Sequence, residues 1–227
     1  MSELIKIALI MNQNNYAGRE YLSKLTDLQI DVISIGEYPE FDNDEEERCG
    51  NLWRPESEQD LYKHFNFYSF KSLKSKELEE FLISKNYHIG IQGGTGIIKS
   101  NIIRLFSLGL LNFHPGDLPY YRGCSAPEWQ LYEQKEIVAT AHKIDEGIDS
   151  GAILLKKELN VSLKSYAHFR ASIYPETSKF VRDVILDIIR GDDLILKSVS
   201  QDERQAIYRK YIGEEKINEL KKMLSNT

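Results

Sequence analysis

The 227-residue chain has only two cysteines, Cys49 and Cys124, too few for a disulfide framework. A reducing setting is the simpler reading, and a cytoplasmic protein is expected. Long apolar runs are missing as well. "LIKIALIM" near the N-terminus falls far short of the ~20 residues a bilayer helix needs, and no cleavage-type pattern follows it. No other stretch comes closer, so no membrane association is expected. Excess basic charge is also absent. Lys+Arg number 29 against 35 Asp+Glu, a formal charge of -6, which argues against general nucleic-acid binding. There is no internal repeat and no low-complexity linker.

What is present is a chain that is 41% hydrophobic, enough for a sizeable core. "IKIALI" and "IDVISI" (30–35) read as buried strands, with "GREYLSKL" helical between them. A β-α-β start predicts a doubly wound, mostly parallel α/β sheet. Residues 36–60 are irregular, and the acidic run "DNDEEE" (42–47) reads as a solvated loop. "LYKHFNFYSF" (61–70) could stack a flat ring, but a core strand or helix rim is the plainer reading. "SKELEEFLISK" is an amphipathic helix and "YHIGIQ" a strand. "GGTGIIKSNIIRLFSLG" reads as a loop leading into a helix that stops at Gly109, with "LLNFH" the next strand. "APEWQLYEQ" reads as a helix, and "IVATAHKI" and "AILLKKELNV" as strands. From Ser165 onward the apolar spacing is helical.

Chemistry concentrates in "LLNFHPGDLPYYRG" (110–123). Asn112 and His114 are two apart at a strand end, so both side chains leave the same face. Ligands bind at that carboxyl edge in open α/β sheets. The pair could also cap the loop and fill the core. Further on, "TAHKIDEGIDSGAIL" (140–154) joins two strands through a turn carrying Asp145, Gly147, Asp149 and Gly151, residues ordinary in any hairpin. His114, His142 and Asp149 can be read as a metal triad, but no further ligand pattern supports one, and no metal is expected. "GGTGIIK" (93–99) is a glycine-rich loop between strand and helix. It lacks the full dinucleotide-binding spacing and suits close approach of a flat ligand equally well.

Taken together, "NFHPGDLPYYRG", "APEW" and "TAHKIDEGIDSGAIL" resemble the core of the formyltransferases that use N10-formyltetrahydrofolate. The family pattern runs N-x-H-P, then L-P-x-x-R-G, then H-x-x-D-x-G-x-D-x-G, and all three parts occur here in order. The resemblance implies a Rossmann-like core over residues 1–160 with a helical C-terminal extension over 161–227 packed on it. It implies a catalytic trio at Asn112, His114 and Asp149. It also implies a folate pocket bordered by Gly94, Ile97, Ile144 and Asp145, with N10-formyltetrahydrofolate as co-substrate. One departure is Gly116, where the family often has Ser.

The chemistry expected is attack of an amine on the formyl carbon. Asn112 would donate to the developing oxyanion, His114 would take or relay the proton, and Asp149 would orient the imidazole. Among acceptors, a primary amine on a nucleotide-linked amino-deoxysugar fits best. "LPYYRG" followed by Trp129 matches the sugar-nucleotide N-formyltransferase variant of the motif, and residues 161–227 carry twelve Lys/Arg against ten Asp/Glu. Glycinamide ribonucleotide and methionyl-tRNA are the alternative acceptors. A formyltetrahydrofolate hydrolase and a non-catalytic nucleotide-binding module are rivals of other classes. A homodimer is left open.

Overall fold

Six consecutive buried residues, Ile7–Asn12, form the central strand β1, apolar on both faces because helices cover both. The computed structural model describes residues 4–36 and 43–225. After β1 come α1 (Tyr16–Ser23), β2 (Ile30–Ile35), α2 (Asn43–Arg48), α3 (Glu58–Leu61), β3 (Asn66–Phe70), α4 (Lys76–Lys85), β4 (Ile89–Gln92), α5 (Ser100–Ile103) and β5 (Gly109–His114). The second half holds β6 (Arg122–Gly123), α6 (Ala126–Tyr132), β7 (Val138–Lys143), β8 (Ile153–Glu158), α7 (Tyr166–Arg190), β9 (Tyr208–Arg209) and α8 (Glu214–Ser225). Seven strands make one sheet in the order β3-β2-β1-β4-β5-β7-β8. The first five are parallel, and β7 then runs antiparallel to both β5 and β8. The mostly parallel, doubly wound sheet expected from the sequence is the fold observed. Between β1 and β4 the strand order changes direction, and crevices at such points take ligands.

Two apolar layers sandwich the sheet. Leu9, Ile91, Leu111 and Phe113 pack beneath α1 and α7, whereas Ile10, Ile33 and Leu110 pack beneath α4 and α5. The long helix α7 opens on a Ser165 cap and closes on Gly191, whose φ of 95° is one that side-chain-bearing residues rarely adopt. Its apolar stripe, Phe169, Ile173, Phe180, Val184 and Ile188, recurs at steps of one or two helical turns against the sheet.

Three local expectations change. The helix expected up to Gly109 is a single turn, α5, and Gly109 opens β5 instead. A lysine at the cap position makes no side-chain bond there, and Arg104 closes the turn early. Part of the acidic run is helical in α2, where Glu45 accepts from Arg170 Nε at 3.1 Å; Asp42 lies outside the described residues. Finally, the stretch between α7 and α8 is largely irregular, with a single 3-10 turn at Glu203–Gln205. It contributes β9, which pairs with β6, and an antiparallel bridge from Val199 to Ile153. The aromatic run near 61–70 supplies core at Leu61 and Phe65 and then forms the edge strand β3.

Phe113 sits in the dry layer, with its ring 5.7 Å from Phe180 and 6.3 Å from Tyr21. Phe113→Ala is expected to cost about 3–5 kcal/mol. A denaturant midpoint unchanged from the parent protein would contradict this packing role.

Candidate active site

The antiparallel register of β5 with β7 sets Asn112 opposite His142 and His114 opposite Thr140. Alternation along β5 sends Leu111 and Phe113 into the α1–α7 layer. Asn112 and His114 therefore leave the other face, as their spacing predicted. His142, directly across from Asn112, leaves that face too.

Asp149 reaches this pair from the turn between β7 and β8, in a left-handed conformation with φ of 51°. Its Oδ2 accepts from the Gly123 N–H at 2.8 Å and lies 3.6 Å from His114 Nδ1. Its Oδ1 lies 3.5 Å from Asn112 Nδ2 and 3.8 Å from His142 Nε2. One carboxylate thus reaches the Gly123 amide and all three polar side chains of the cluster. The structure brings Asn112, His114 and Asp149 together and adds His142, which the sequence offered only as a metal ligand. Among the described residues, no group of three or more His, Cys, Asp and Glu is arranged to hold a metal ion.

The hydrogen bonds assign the rings. His114 Nε2 donates to the Tyr121 carbonyl at 2.6 Å, so the other ring nitrogen, Nδ1, is the one that faces Asp149. His142 Nδ1 donates to the Lys143 carbonyl at 2.8 Å, which leaves Nε2 to accept from Asn112 Nδ2 at 3.2 Å. That bond fixes which end of the Asn112 amide faces the carboxylate. Gly116 has a steric reason here. A Cβ at 116 would fall 2.5 Å from His114 Nε2 and 2.8 Å from the Ala126 Cβ. In this chain the residue after His-Pro must be small for His114 to reach the Tyr121 carbonyl.

The four residues expected around the folate fall on two loops flanking β5. Gly94 follows β4 with φ of 85°, and its carbonyl accepts from the Asn12 N–H at 2.9 Å. Ile97 is 80% exposed, next to buried Ile98. Ile144 donates its N–H to the Leu110 carbonyl at 2.7 Å and packs against the layer that holds Ile98. Asp145 is exposed and closes its own turn, accepting from the Gly147 N–H at 3.1 Å and the Ser150 hydroxyl at 2.5 Å. A cavity of about 680 Å³ lies elsewhere, lined by Arg48, Tyr166, Tyr211 and Lys221 among others. Two of its polar groups are already engaged, Arg48 with Glu128 and Tyr211 with Glu214, and the convergent strand-end cluster is the stronger candidate.

A family profile described as formyl transferase matches residues 51–168, over half of the chain. The chain belongs to the formyl transferase family. Among curated relatives, the methionyl-tRNA formyltransferase of Kosmotoga olearia is 28% identical over 202 residues, covering 86% of this chain and 62% of that protein. The GDP-perosamine N-formyltransferase of Brucella melitensis biotype 1 is 29% identical over 119 residues, covering 52% of this chain and 40% of that protein. The chain therefore spans less than two thirds of the length of either relative. Among solved structures, the N-formyltransferase from Helicobacter canadensis, in complex with folinic acid and dTDP-3-aminofucose, superposes with a TM-score of 0.64 at 17% identity. That superposition covers 90% of this chain and 70% of the other and shows a shared fold. Family membership gives Asn112 and His114 a common setting, because both lie within the matched region.

His142 has a measurable signature. Burial first, and then the neighbouring His114, push its pKa down from the ordinary 6.5 to about 4. The unfolded chain takes up this proton near pH 6.5, while the folded chain resists it until about pH 4. The stability that His142 contributes is therefore fully present above pH 6.5 and lost as pH falls through 4. The slope is at most about 1.4 kcal/mol per pH unit. His142→Gln is expected to flatten unfolding free energy against pH between 6.5 and 4; an unaltered slope would count against a buried neutral imidazole.

Proposed function

We propose that this chain transfers the formyl group of N10-formyltetrahydrofolate to a primary amine, and that the amine belongs to a nucleotide-linked amino-deoxysugar. The observation that carries the reading is the Asp149 carboxylate within 3.6 Å of both Asn112 and His114, at a strand end inside a formyl transferase domain. The amine nitrogen attacks the formyl carbon, and the carbonyl electrons move onto oxygen. Asn112 Nδ2 is placed to donate to that oxyanion. Its 3.5 Å contact with Asp149 is the weaker of its two and the one it gives up. A positioned donor of this kind contributes roughly 3–4 kcal/mol. His114 Nδ1 takes the proton that the amine loses, and Asp149 steadies the positive ring that results. Collapse of the tetrahedral species expels N10 of the folate, which regains a proton.

The folate side rests on Gly94, Ile97, Ile144 and Asp145. The fit has support at the β1–β4 switch point. There the Asn12 Oδ1, beside Gly94, is buried with no hydrogen-bond partner among the described residues, and the exposed Ile97 offers an apolar surface. A flat ring with a polar N–H edge answers both features.

The acceptor reading rests on the formal charge of -6, on "LPYYRG" with Trp129, and on the likeness to sugar-acting enzymes. Trp129 itself turns toward the tail and donates to the Lys210 carbonyl at 2.8 Å, so it supports the resemblance and not direct contact with a sugar.

Incubation with N10-formyltetrahydrofolate and a panel of amino-sugar nucleotides, glycinamide ribonucleotide and methionyl-tRNA, read by mass, is expected to add one formyl group to an amino-sugar nucleotide. KM should rise only modestly between 50 and 200 mM salt. A tRNA reader making six to ten phosphate contacts would lose about 10³–10⁵ in affinity over that range. Transfer to methionyl-tRNA alone, with that steep slope, refutes the sugar reading. Formate release without any acceptor points to a hydrolase.

Asn112→Ala and His114→Ala are each expected to cut turnover by about 10²–10⁴ with folding intact. Asp149→Asn should lower turnover strongly and folate affinity little. Near-normal turnover in a folded Asn112 or His114 variant removes that residue from the chemistry.

A further inference from the structure

We infer that Gln201, from the irregular stretch between α7 and α8, is a positioning residue for Asp149; the inference rests on the formyl-transfer reading of this site. Asp149 holds a left-handed backbone, a conformation that side-chain-bearing residues keep where their surroundings enforce it. Gln201 supplies that enforcement. Its Nε2 donates both hydrogens inward, to the Asp149 carbonyl at 2.8 Å and to the Gly151 carbonyl at 2.8 Å. The antiparallel bridge between Val199 and Ile153, with 2.8 Å bonds in both directions, carries Gln201 to that turn.

Gln201 is itself held. Its Oε1 accepts from Arg122 Nε at 3.0 Å and Nη2 at 2.8 Å. Arg122 has no exposed surface, and it also pairs with Glu203 at 2.7 Å and donates to the Tyr208 hydroxyl at 3.1 Å. The next residue, Gly123, holds the Asp149 carboxylate directly. Two consecutive residues of "LPYYRG" therefore fix Asp149 at both ends, Gly123 at its side chain and Arg122 through Gln201 at its backbone.

Gln201→Glu separates the two halves of this role. It keeps an oxygen for Arg122 but turns an oxygen toward two carbonyls. Turnover is expected to fall about 10–10²-fold, with KM for formyltetrahydrofolate changed less than threefold. In the Asp149→Asn background the same change should cost almost nothing further, because its effect runs through Asp149. Gln201→Ala serves as the second variant if the glutamate form does not fold. A readout independent of activity is hydrogen exchange at the Gly123 amide, the donor to Asp149. It should lose protection in Gln201→Glu, as it should in Asp149→Ala, where the acceptor is removed. Wild-type turnover within twofold in a folded variant, losses that multiply fully with Asp149→Asn, or unchanged Gly123 protection each overturn the inference. If the unmutated protein transfers no formyl group to any acceptor, the functional reading fails, and Gly123 exchange still decides whether Gln201 positions Asp149.

Discussion

The antiparallel joint between β5 and β7 is the constraint on which the site depends. From β3 to β5 the sheet is parallel, and its inner strands β1 and β2 are buried along nearly their whole length. At β5 that rule stops midway. Leu110 and Leu111 are fully buried, and the next alternation delivers an amide and an imidazole to one face while Phe113 stays in the core. Reversing the direction of β7 sets His142 in register with Asn112, and that pairing fixes the amide. The same reversal allows a short turn to return over the cluster and deliver Asp149. A parallel neighbour would need a long crossover and would carry the turn away.

Electrostatics then sorts the two histidines. Both donate one ring nitrogen to a backbone carbonyl, so neither ring is free to rotate. Burial keeps His142 neutral, where it acts as an acceptor for Asn112. His114 turns its remaining nitrogen to the carboxylate instead. Two identical side chains therefore take different parts, assigned by hydrogen-bond partners and not by residue type.

Much of this was legible in the sequence because it was local. Strand periodicity gave the sheet, the two-residue spacing gave the shared face of Asn112 and His114, and the ordered motif gave Asp149. His142 was visible only as a metal-ligand candidate, because its partner depended on register, which no short stretch encodes. Gln201 had no signal at all. Its role comes from a meeting with residues about fifty positions earlier in the chain, in a segment whose helical spacing on either side concealed an irregular middle. Gly116 looked like the loss of a hydrogen-bonding group until the position of the His114 ring showed that no Cβ fits there.

The burial of Arg122 bears on how this protein comes apart. Its guanidinium has no contact with water, and its side-chain partners, Gln201, Glu203 and Tyr208, all come from the stretch between α7 and α8. Peeling that stretch from the sheet breaks the Arg122 bonds to Gln201, Glu203 and Tyr208 together, along with the Gln201 bonds to the Asp149 turn. Fraying of the segment is therefore suppressed, and its opening is tied to that of the strand-end cluster. The two regions should behave as one cooperative unit, so a protease that waits for the segment to loosen also waits for the Asp149 turn to dissolve.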